Sequence, residues 1–404
     1  MANLFADTSS AVYNLMQFYK GPIKDNLNEE VPLYQMADTM KYNWSGQQVQ
    51  RPLRLQRNQG IGAGSDGGPL PSIGRQGGTQ ATILAKYNWL RFGLTAGILK
   101  ASQNDKGSFV RQFQFEMEMG MKDLKSDLNR QISWDGTGTL AQINTTVAGS
   151  TTVVISGRES GEPARKFVDV GLVFDIYTTG GALVQSGISV TAVSGGPLDA
   201  TATLTTNTAV TATSGNILVR ANSKTYEVQG LLTALDGGTS TIYGVDRSVY
   251  VQYQGNVSTV SGQLTLDALQ GAQNAAEQRG GAKIKYLYSD YNARRYYQKL
   301  LTIDKRYVNA TAGDGGFAKA SKYSLEWNGC EWISDKDCPQ RIFLLPDDVW
   351  EKAVLCEMEP AEETGSAYIA QAGVDAWEVR VRHFFNCFNA MPAGCAVLTS
   401  YTSP

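Results

Sequence analysis

The chain carries a single imidazole in 404 residues, His383, and that scarcity sets the first limit on its chemistry. A site built on two or three histidine ligands cannot exist within one chain, so histidine-rich zinc hydrolases, facial triads and three-histidine sites fall away. A nucleophile–imidazole–carboxylate relay would have to run through His383, which sits in Glu378-Val-Arg-Val-Arg-His-Phe-Phe385. Polar and apolar side chains alternate there, so the run reads as a half-buried strand and the imidazole as a structural or surface group. Five cysteines, Cys330, Cys338, Cys356, Cys387 and Cys395, fall in the last 75 residues with no Cys-x-x-Cys among them. An odd count without zinc spacing predicts reduced, mostly buried thiols. Gly62-Ala-Gly-Ser-Asp-Gly67 has the dinucleotide-loop spacing, but Asn58-Gln59 precede it where an apolar strand is needed and Pro69-Leu-Pro71 follow it. Without a helix N-terminus after the glycines there is nothing to hold a pyrophosphate. Asp335, Asp337, Asp347 and Asp348 are the nearest approach to a carboxylate cluster for a hard cation, and turn and helix-cap chemistry accounts for them. No nucleophile elbow, phosphate loop or EF-hand loop occurs, so no catalytic residue, metal or cofactor is expected, and no enzyme.

Charge narrows the field further. The formal net charge is −2, too balanced for a protein whose affinity for nucleic acid comes from neutralising phosphates, so contact with DNA should be weak and non-specific. The first residues, Met1-Ala-Asn-Leu-Phe-Ala-Asp-Thr-Ser-Ser10, lack a basic start and an apolar run, and no stretch reaches the ~18 apolar residues of a membrane span. The expectation is a protein without membrane contact that stays where it is made.

The elements that must position these residues change character along the chain. Residues 1–45 read as an extended arm with one or two short helices around Pro22 and Pro32. Gln47 to Leu55 alternates like a strand, and Gln80 to Tyr87 returns beside it; between them residues 59–78 hold eight glycines with Pro69 and Pro71. This predicts a long projecting hairpin with a glycine-rich tip. After Ser108, Val110, Phe113, Met117, Met121, Leu124, Leu128 and Ile132 mark one face of a helix that stops at Asp135-Gly-Thr-Gly138. Residues 137–262 hold 21 threonines and only 14 charged residues, with β-type runs at 151–155, 171–177, 187–193 and 225–229, so an inserted barrel or sandwich is expected. The remainder is mixed: helices at 264–279 and from Asp290 to about Tyr307, a strand at 283–289, a turn at 313–316, a strand at 341–345, a turn into a helix at 346–352, and strands at 378–385 and 395–400.

This order resembles the major capsid protein of tailed bacteriophages, the Hong Kong 97-type fold. Trp134-Asp-Gly-Thr-Gly-Thr-Leu140 looks like the end of that family's spine helix. Leu269 to Tyr307 is similar to the paired helices of its axial domain, and Trp327-Asn-Gly-Cys330, Asp335-Lys-Asp-Cys-Pro339 and Phe343-Leu-Leu-Pro-Asp-Asp-Val-Trp350 to the segment that completes it. The resemblance implies an α+β capsid fold with an N-terminal arm (1–45), an extended β-hairpin loop (46–90), a peripheral domain (91–150) with a spine helix (108–134), a β-barrel-like insertion (151–225), a return to the peripheral domain (226–262), an axial domain (263–375) and C-terminal strands completing the core (376–404). It also implies a virion protein, assembled in the host cytoplasm as hexamers and pentamers into an icosahedral head around double-stranded DNA. Its partners would be other copies, a portal, and in some systems scaffold or decoration proteins. Other readings are a tail-tube or decoration protein, which the long helix and the α/β half oppose, and a β-rich glycan binder, which would want tryptophan platforms that 137–262 lacks.

Residue types test one family trait, a covalent bond from a loop lysine to a neighbouring asparagine. Between Lys41 and Lys86 there is no lysine, only Arg51, Arg54, Arg57 and Arg75. A guanidinium stays protonated and cannot act as the amine nucleophile. In place of the bond, charge suggests a contact. Residues 41–100 hold eight basic residues and one acid, net +7, whereas 347–363 hold seven acids, among them Asp347, Asp348, Glu351, Glu357 and Glu359, and one lysine. Complementary patches on one chain suit a repeating intersubunit contact. Assembled material boiled in detergent should therefore run as single subunits on a denaturing gel; a ladder of linked subunits would refute a non-covalent contact.

Overall fold

A computed structural model describes residues 30–40, 43–97, 112–238, 240–304, 325–361, 369–370 and 373–403. Most of the N-terminal arm, the predicted helix start at Ser108, the helix end near Tyr307 and the turn at 313–316 lie outside them.

The helix Gln112–Ser133 runs through the body of the protein, about 33 Å long at 1.5 Å per residue. Leu124, Leu128 and Ile132 of the predicted face are buried, while Met117 and Met121 are half-buried towards the outer end. The last turns are enclosed on every side, since Asn129, Arg130, Gln131 and Ser133 are buried too. The helix stops where Gly136 and Gly138 take left-handed φ of +72° and +81°. A Cβ on Gly136 would stand 2.8 Å from the Val228 carbonyl oxygen, so the position needs glycine for its conformation and for the chain passing beside it.

From there the chain enters a closed six-stranded barrel, in the order Ile217–Arg220, Thr139–Ile143, Val147–Ser156, Thr201–Ala212, Leu183–Ser194 and Val173–Tyr177. The barrel begins at Thr139, upstream of the expected 151, because the glycine turn leads straight into its first strand. Closure removes the unpaired edges that β-branched, charge-poor strands would otherwise expose. Along Thr201–Ala212, Ala202, Leu204, Val210 and Ala212 are buried, and most of the threonines between them face out or sit half-buried. The strand expected at 225–229 does not form. Asn222 and Thr225 hold φ of 60° and 65°, which breaks the pleat and leaves a chain of turns from the barrel back to the body.

Two sheets complete the molecule. In the first, Asp38–Met40 pairs in parallel with Trp350–Pro360, which pairs antiparallel with the long strand Ala376–Asn389; Lys86–Thr95 and Ile369–Ala370 also pair with that strand. The helix expected at 346–352 is thus a strand. Asp348 takes a left-handed φ of 54°, so the two aspartates turn the chain rather than cap a helix, and the following run pairs with 376–389. The second sheet has the order Asn256–Gln263, Ala396–Thr402, Ile342–Pro346, Ile284–Ser289, Cys330–Ser334, Leu325–Trp327. Against it packs Leu266–Gly280, capped by Thr265, which accepts from the Ala268 N–H at 3.1 Å, and closed by left-handed Gly281. A second helix, Tyr291–Asp304, follows the central strand.

The hairpin Gln48–Gln56 with Gly77–Leu84 stands apart. Val49, Ala81 and Ile83 are buried at its foot, whereas at the far end Ile61, Leu70 and Ile73 are 85%, 91% and 103% exposed. The expected projecting element is there, with its strands shifted by up to three residues.

The close approach of the returning chain to the helix end offers a direct test. Gly230 lies against the helix terminus so tightly that an added Cβ would meet the Trp134 and Ile132 carbonyl oxygens at 2.1 and 2.4 Å. Gly230→Ala should lower stability by about 3 kcal/mol, the upper range for an overpacked site. Thermal unfolding that left Tm unchanged would show that the segment is not seated there.

Candidate functional site

The helix terminus gathers the buried polar groups. Arg130 donates through Nη1 to Glu227 Oε2 at 3.1 Å and through Nη2 to Oε1 at 2.5 Å, and its Nε donates to Asp127 Oδ1 at 3.0 Å. Arg220 and Gln131 also donate to Asp127, at 3.1 and 2.9 Å. Burial pushes the Asp127 carboxyl up, but the guanidinium groups of Arg130 and Arg220 outweigh it and hold the group well below the usual carboxylate range. On another side, Asn129 Nδ2 donates to both Asp335 Oδ2 and Asp337 Oδ2, at 2.6 and 2.8 Å, while Asn129 Oδ1 accepts from the Tyr34 N–H at 3.0 Å. Tyr288 donates to Asp335 Oδ2 at 2.7 Å, and Lys336 to Asp337 Oδ2 at 2.9 Å. Burial, then the charge of Asp337, raises the Asp335 carboxyl above its ordinary value.

Trp134 ties in the barrel. Its indole N–H donates to the Asp337 carbonyl at 2.8 Å, and the Arg158 guanidinium lies 4.1 Å from the ring centroid while pairing with Asp135. Lys166 donates to the Cys338 carbonyl at 2.7 Å and to Glu162 at 2.8 Å, and Arg341 pairs with Glu159 at 2.5 Å. Arg158, Lys166 and Glu159 of the barrel's base thus engage the body, whereas Arg165 donates to the Gly195 carbonyl of the barrel itself at 2.9 Å.

His383 is buried. Its Nδ1 lies 3.0 Å from the Cys356 carbonyl oxygen, which can only accept, so Nε2 is left to accept from the Tyr34 hydroxyl at 3.1 Å. Burial holds the imidazole below its ordinary value, in a neutral, structural state. Four cysteines are buried and Cys356 is half-buried, all as free thiols. Burial pushes the Cys395 thiol up to about 12, far from a nucleophile's range. Among the described residues no group of three or more histidine, cysteine or carboxylate side chains is placed to hold a metal ion. No helix among them is long and apolar enough to cross a membrane.

The charged residues singled out in the sequence separate into two sets. Some are paired within the chain: Arg51 with Glu351 at 3.5 Å, Asp347 with Lys285 at 2.5 Å, Glu359 with Arg382 at 2.9 Å. Glu351 is buried, so its carboxylate is directed inward. Arg54 donates to Gln76 across the hairpin at 2.7 Å. Arg54, Arg57 and Arg75, with Leu55 and Ile73, line a cavity of about 750 Å³ near the hairpin tip, and none of the three has a carboxylate partner among the described residues. Asp348 and Glu357 likewise form no ion pair there. Asp38, which no sequence pattern marked, lines with Asp347 and Asp348 a cavity of about 250 Å³ at the turn.

Compared by sequence, the chain matches no family model and no curated protein. Compared by fold, it is similar to solved subunits of phage-type capsid shells, and the likeness runs the length of the chain. The Cyanophage A-1(L) capsid subunit superposes with a TM-score of 0.61 at 10% identity, over 98% of this chain and 99% of that one. The subunit of a native GTA particle capsid gives 0.52 at 9% identity, over 98% of both. The mixed helix and sheet architecture with its small closed barrel is therefore an arrangement used by capsid shells.

The buried ion cluster sets a pH dependence. With its folded pKa below the ordinary value near 4, Asp127 contributes stability that is fully present above about pH 4 and is lost as the pH falls towards the folded value. Asp127→Asn should cost on the order of 2–3 kcal/mol at pH 7 and flatten the acid limb of the stability curve. Denaturant titrations at pH 7 and pH 3 measure both; an equal loss at the two values would contradict the assignment.

Proposed function

We propose that this chain is the major subunit of an icosahedral shell that holds packaged double-stranded DNA. The observation that carries the reading is the fold likeness to capsid subunits across 98% of the chain at a TM-score of 0.61. In this reading the hairpin at 46–90 is the loop that reaches over a neighbour, and the helix Gln112–Ser133 is the spine of the peripheral domain. Residues 263–375 form the axial domain, which meets its counterparts around hexamer and pentamer axes. The barrel that fills most of 139–220 is an insertion carried on the peripheral domain. Portal, scaffold and decoration proteins are the partners such a shell would take, and the virion is where the protein would reside.

Nothing in this function requires turnover. The work is interface burial between copies and retention of DNA by confinement, for which a net charge of −2 is suited because tightly binding walls are unnecessary. Intersubunit attraction would come from charges without an ion pair among the described residues, Arg54, Arg57 and Arg75 on the loop against Asp348 and Glu357 on a neighbour.

Electron microscopy of the expressed protein should show closed shells, alone or with a scaffold; tubes or strictly monomeric protein in every condition would refute the reading. Arg54→Ala, Arg57→Ala and Arg75→Ala combined should shift assembly to lower salt, because long-range attraction between the patches is screened within ~10 Å at 0.1 M. Light scattering across ionic strength reads this, and an assembly curve superposable on that of the unmodified chain would remove the loop arginines from the contact.

A further inference from the structure

The cavity of about 750 Å³ on the hairpin has a one-sided wall. Arg54 and Arg57 enter it from one limb and Arg75 from the other, Gln252 bounds it from the body of the protein, and no aspartate or glutamate belongs to the lining. Arg54 spends its Nε on Gln76 Oε1 at 2.7 Å, which fixes the plane of the guanidinium and leaves its two terminal nitrogens without a partner among the described residues. Arg57 and Arg75 make neither a hydrogen bond nor an ion pair among those residues. The two limbs are drawn together where these side chains stand. A Cβ on Gly74 would overlap Asn58 Oδ1 and the Gly60 nitrogen, so only glycine lets the limb of Arg75 lie this close to the limb of Arg57. Asn58 Oδ1 in turn accepts from the Gly60 N–H at 2.7 Å, which sets the turn of that limb.

Three like charges around one cavity repel one another, and nothing in its wall offsets them. Each guanidinium stays protonated and presents its N–H donors in a planar fork that matches two oxygens of a phosphate group. Gln59 and Gln252 add neutral amide donors. A single carboxylate would answer one fork and leave two cations unmatched, whereas a chain of phosphate groups carries a charge for each. Size selects in the same direction. The volume corresponds to roughly 9 Å across, less than the ~12 Å major groove of a duplex, so a short phosphate chain fits inside and a double helix does not.

We propose that this cavity is a binding site for an oligophosphate anion, held by the guanidinium groups of Arg54, Arg57 and Arg75 with Gln59 and Gln252 as neutral donors. The assignment concerns the single chain and does not rest on the shell reading. Where copies assemble, the anion and a neighbour's carboxylates are alternatives for the same guanidinium groups, so an occupied cavity masks the attraction described above.

Calorimetric titration of the chain with tripolyphosphate at about 0.1 M salt reads the site. One anion should bind per chain, and Arg57→Ala and Arg75→Ala should each weaken binding about tenfold, the loss of one charge-assisted hydrogen bond. Arg57→Lys keeps the charge without the fork and should recover only part of that loss. Arg295→Ala removes the same charge from an exposed position of the helix Tyr291–Asp304, outside the cavity, and should leave the affinity unchanged. An equal loss there would reduce the effect to net charge and overturn the site. Absence of heat at millimolar tripolyphosphate would overturn it too, while closed shells in the microscope would leave the shell reading standing. A short DNA duplex that binds more tightly than tripolyphosphate and depends on the same arginines would give the cavity to a nucleic-acid backbone, which likewise overturns the proposal.

Discussion

The enclosed end of the long helix is the constraint on which the rest of the molecule depends. Within seven residues, Asp127 to Ser133, the helix holds the segment returning from the barrel through Asp127 and Arg130, the N-terminal segment through Asn129, and the central strand of the second sheet through Ser133, whose hydroxyl lies 2.7 Å from that of Tyr288. Asn129, Arg130 and Ser133 are buried and Asp127 is half-buried, so each must be satisfied or its desolvation cost goes unmet. The arrangement meets that condition by sharing: one amide nitrogen serves two carboxylates, and one guanidinium serves Asp127 and Glu227. Against well-packed apolar groups such a network adds little net stability. What it does is exclude alternatives, because a helix shifted by one residue would bury several unpaired charges.

The barrel shows how a charge-poor insertion is attached to such a body. Its own core, with Phe174, Ile176, Ile188 and Leu204, is separate from the body's. Contact is made by cations at its base: Arg158 packs over Trp134, Lys166 reaches the Cys338 carbonyl, and Glu159 takes Arg341 from the body. Because the barrel is closed, all its backbone edges are used internally, and the docking had to be done by side chains. Threonine-rich outer faces then keep the surface wet without adding charge, which is why the low proportion of charged residues belongs to this stretch and not to the whole chain.

How much of this the sequence disclosed follows from how local each feature is. The long helix, the projecting hairpin, the barrel and the helix Leu266–Gly280 were legible because periodicity and turn chemistry act over a few residues. His383 was legible as structural because its neighbours alternate. Asn129, Arg130 and Gln131 were not, since polar residues on a helix ordinarily face solvent and their partners Asp335 and Glu227 lie 206 and 97 positions away. The Asp347-Asp348 pair misled for a definable reason. Aspartates suit a helix N-terminus and a left-handed turn equally well, and only the pairing of Trp350–Pro360 with Ala376–Asn389 decides between them. The four aspartates grouped by spacing divide accordingly, Asp335 and Asp337 into the interior network and Asp347 and Asp348 to the surface cavity.

That division explains why patch arithmetic is a blunt guide to an interface. Summed over sequence, 347–363 is a block of acids facing a basic hairpin, yet Glu351 is buried beside Arg51 and Glu359 is matched by Arg382 on the adjacent strand. Lys352, the one cation of the block, is turned into the protein beneath Tyr34. Pairing within the chain therefore cancels opposite charges where the strands bring them together and, among the described residues, leaves Asp348 at the turn and Arg54, Arg57 and Arg75 on the hairpin without an ion pair. The hairpin, held at its foot by buried Val49, Ala81 and Ile83 and by the Arg51–Glu351 pair, carries its other arginines outward along the strand. In the proposed shell these are the charges that a neighbouring copy would match.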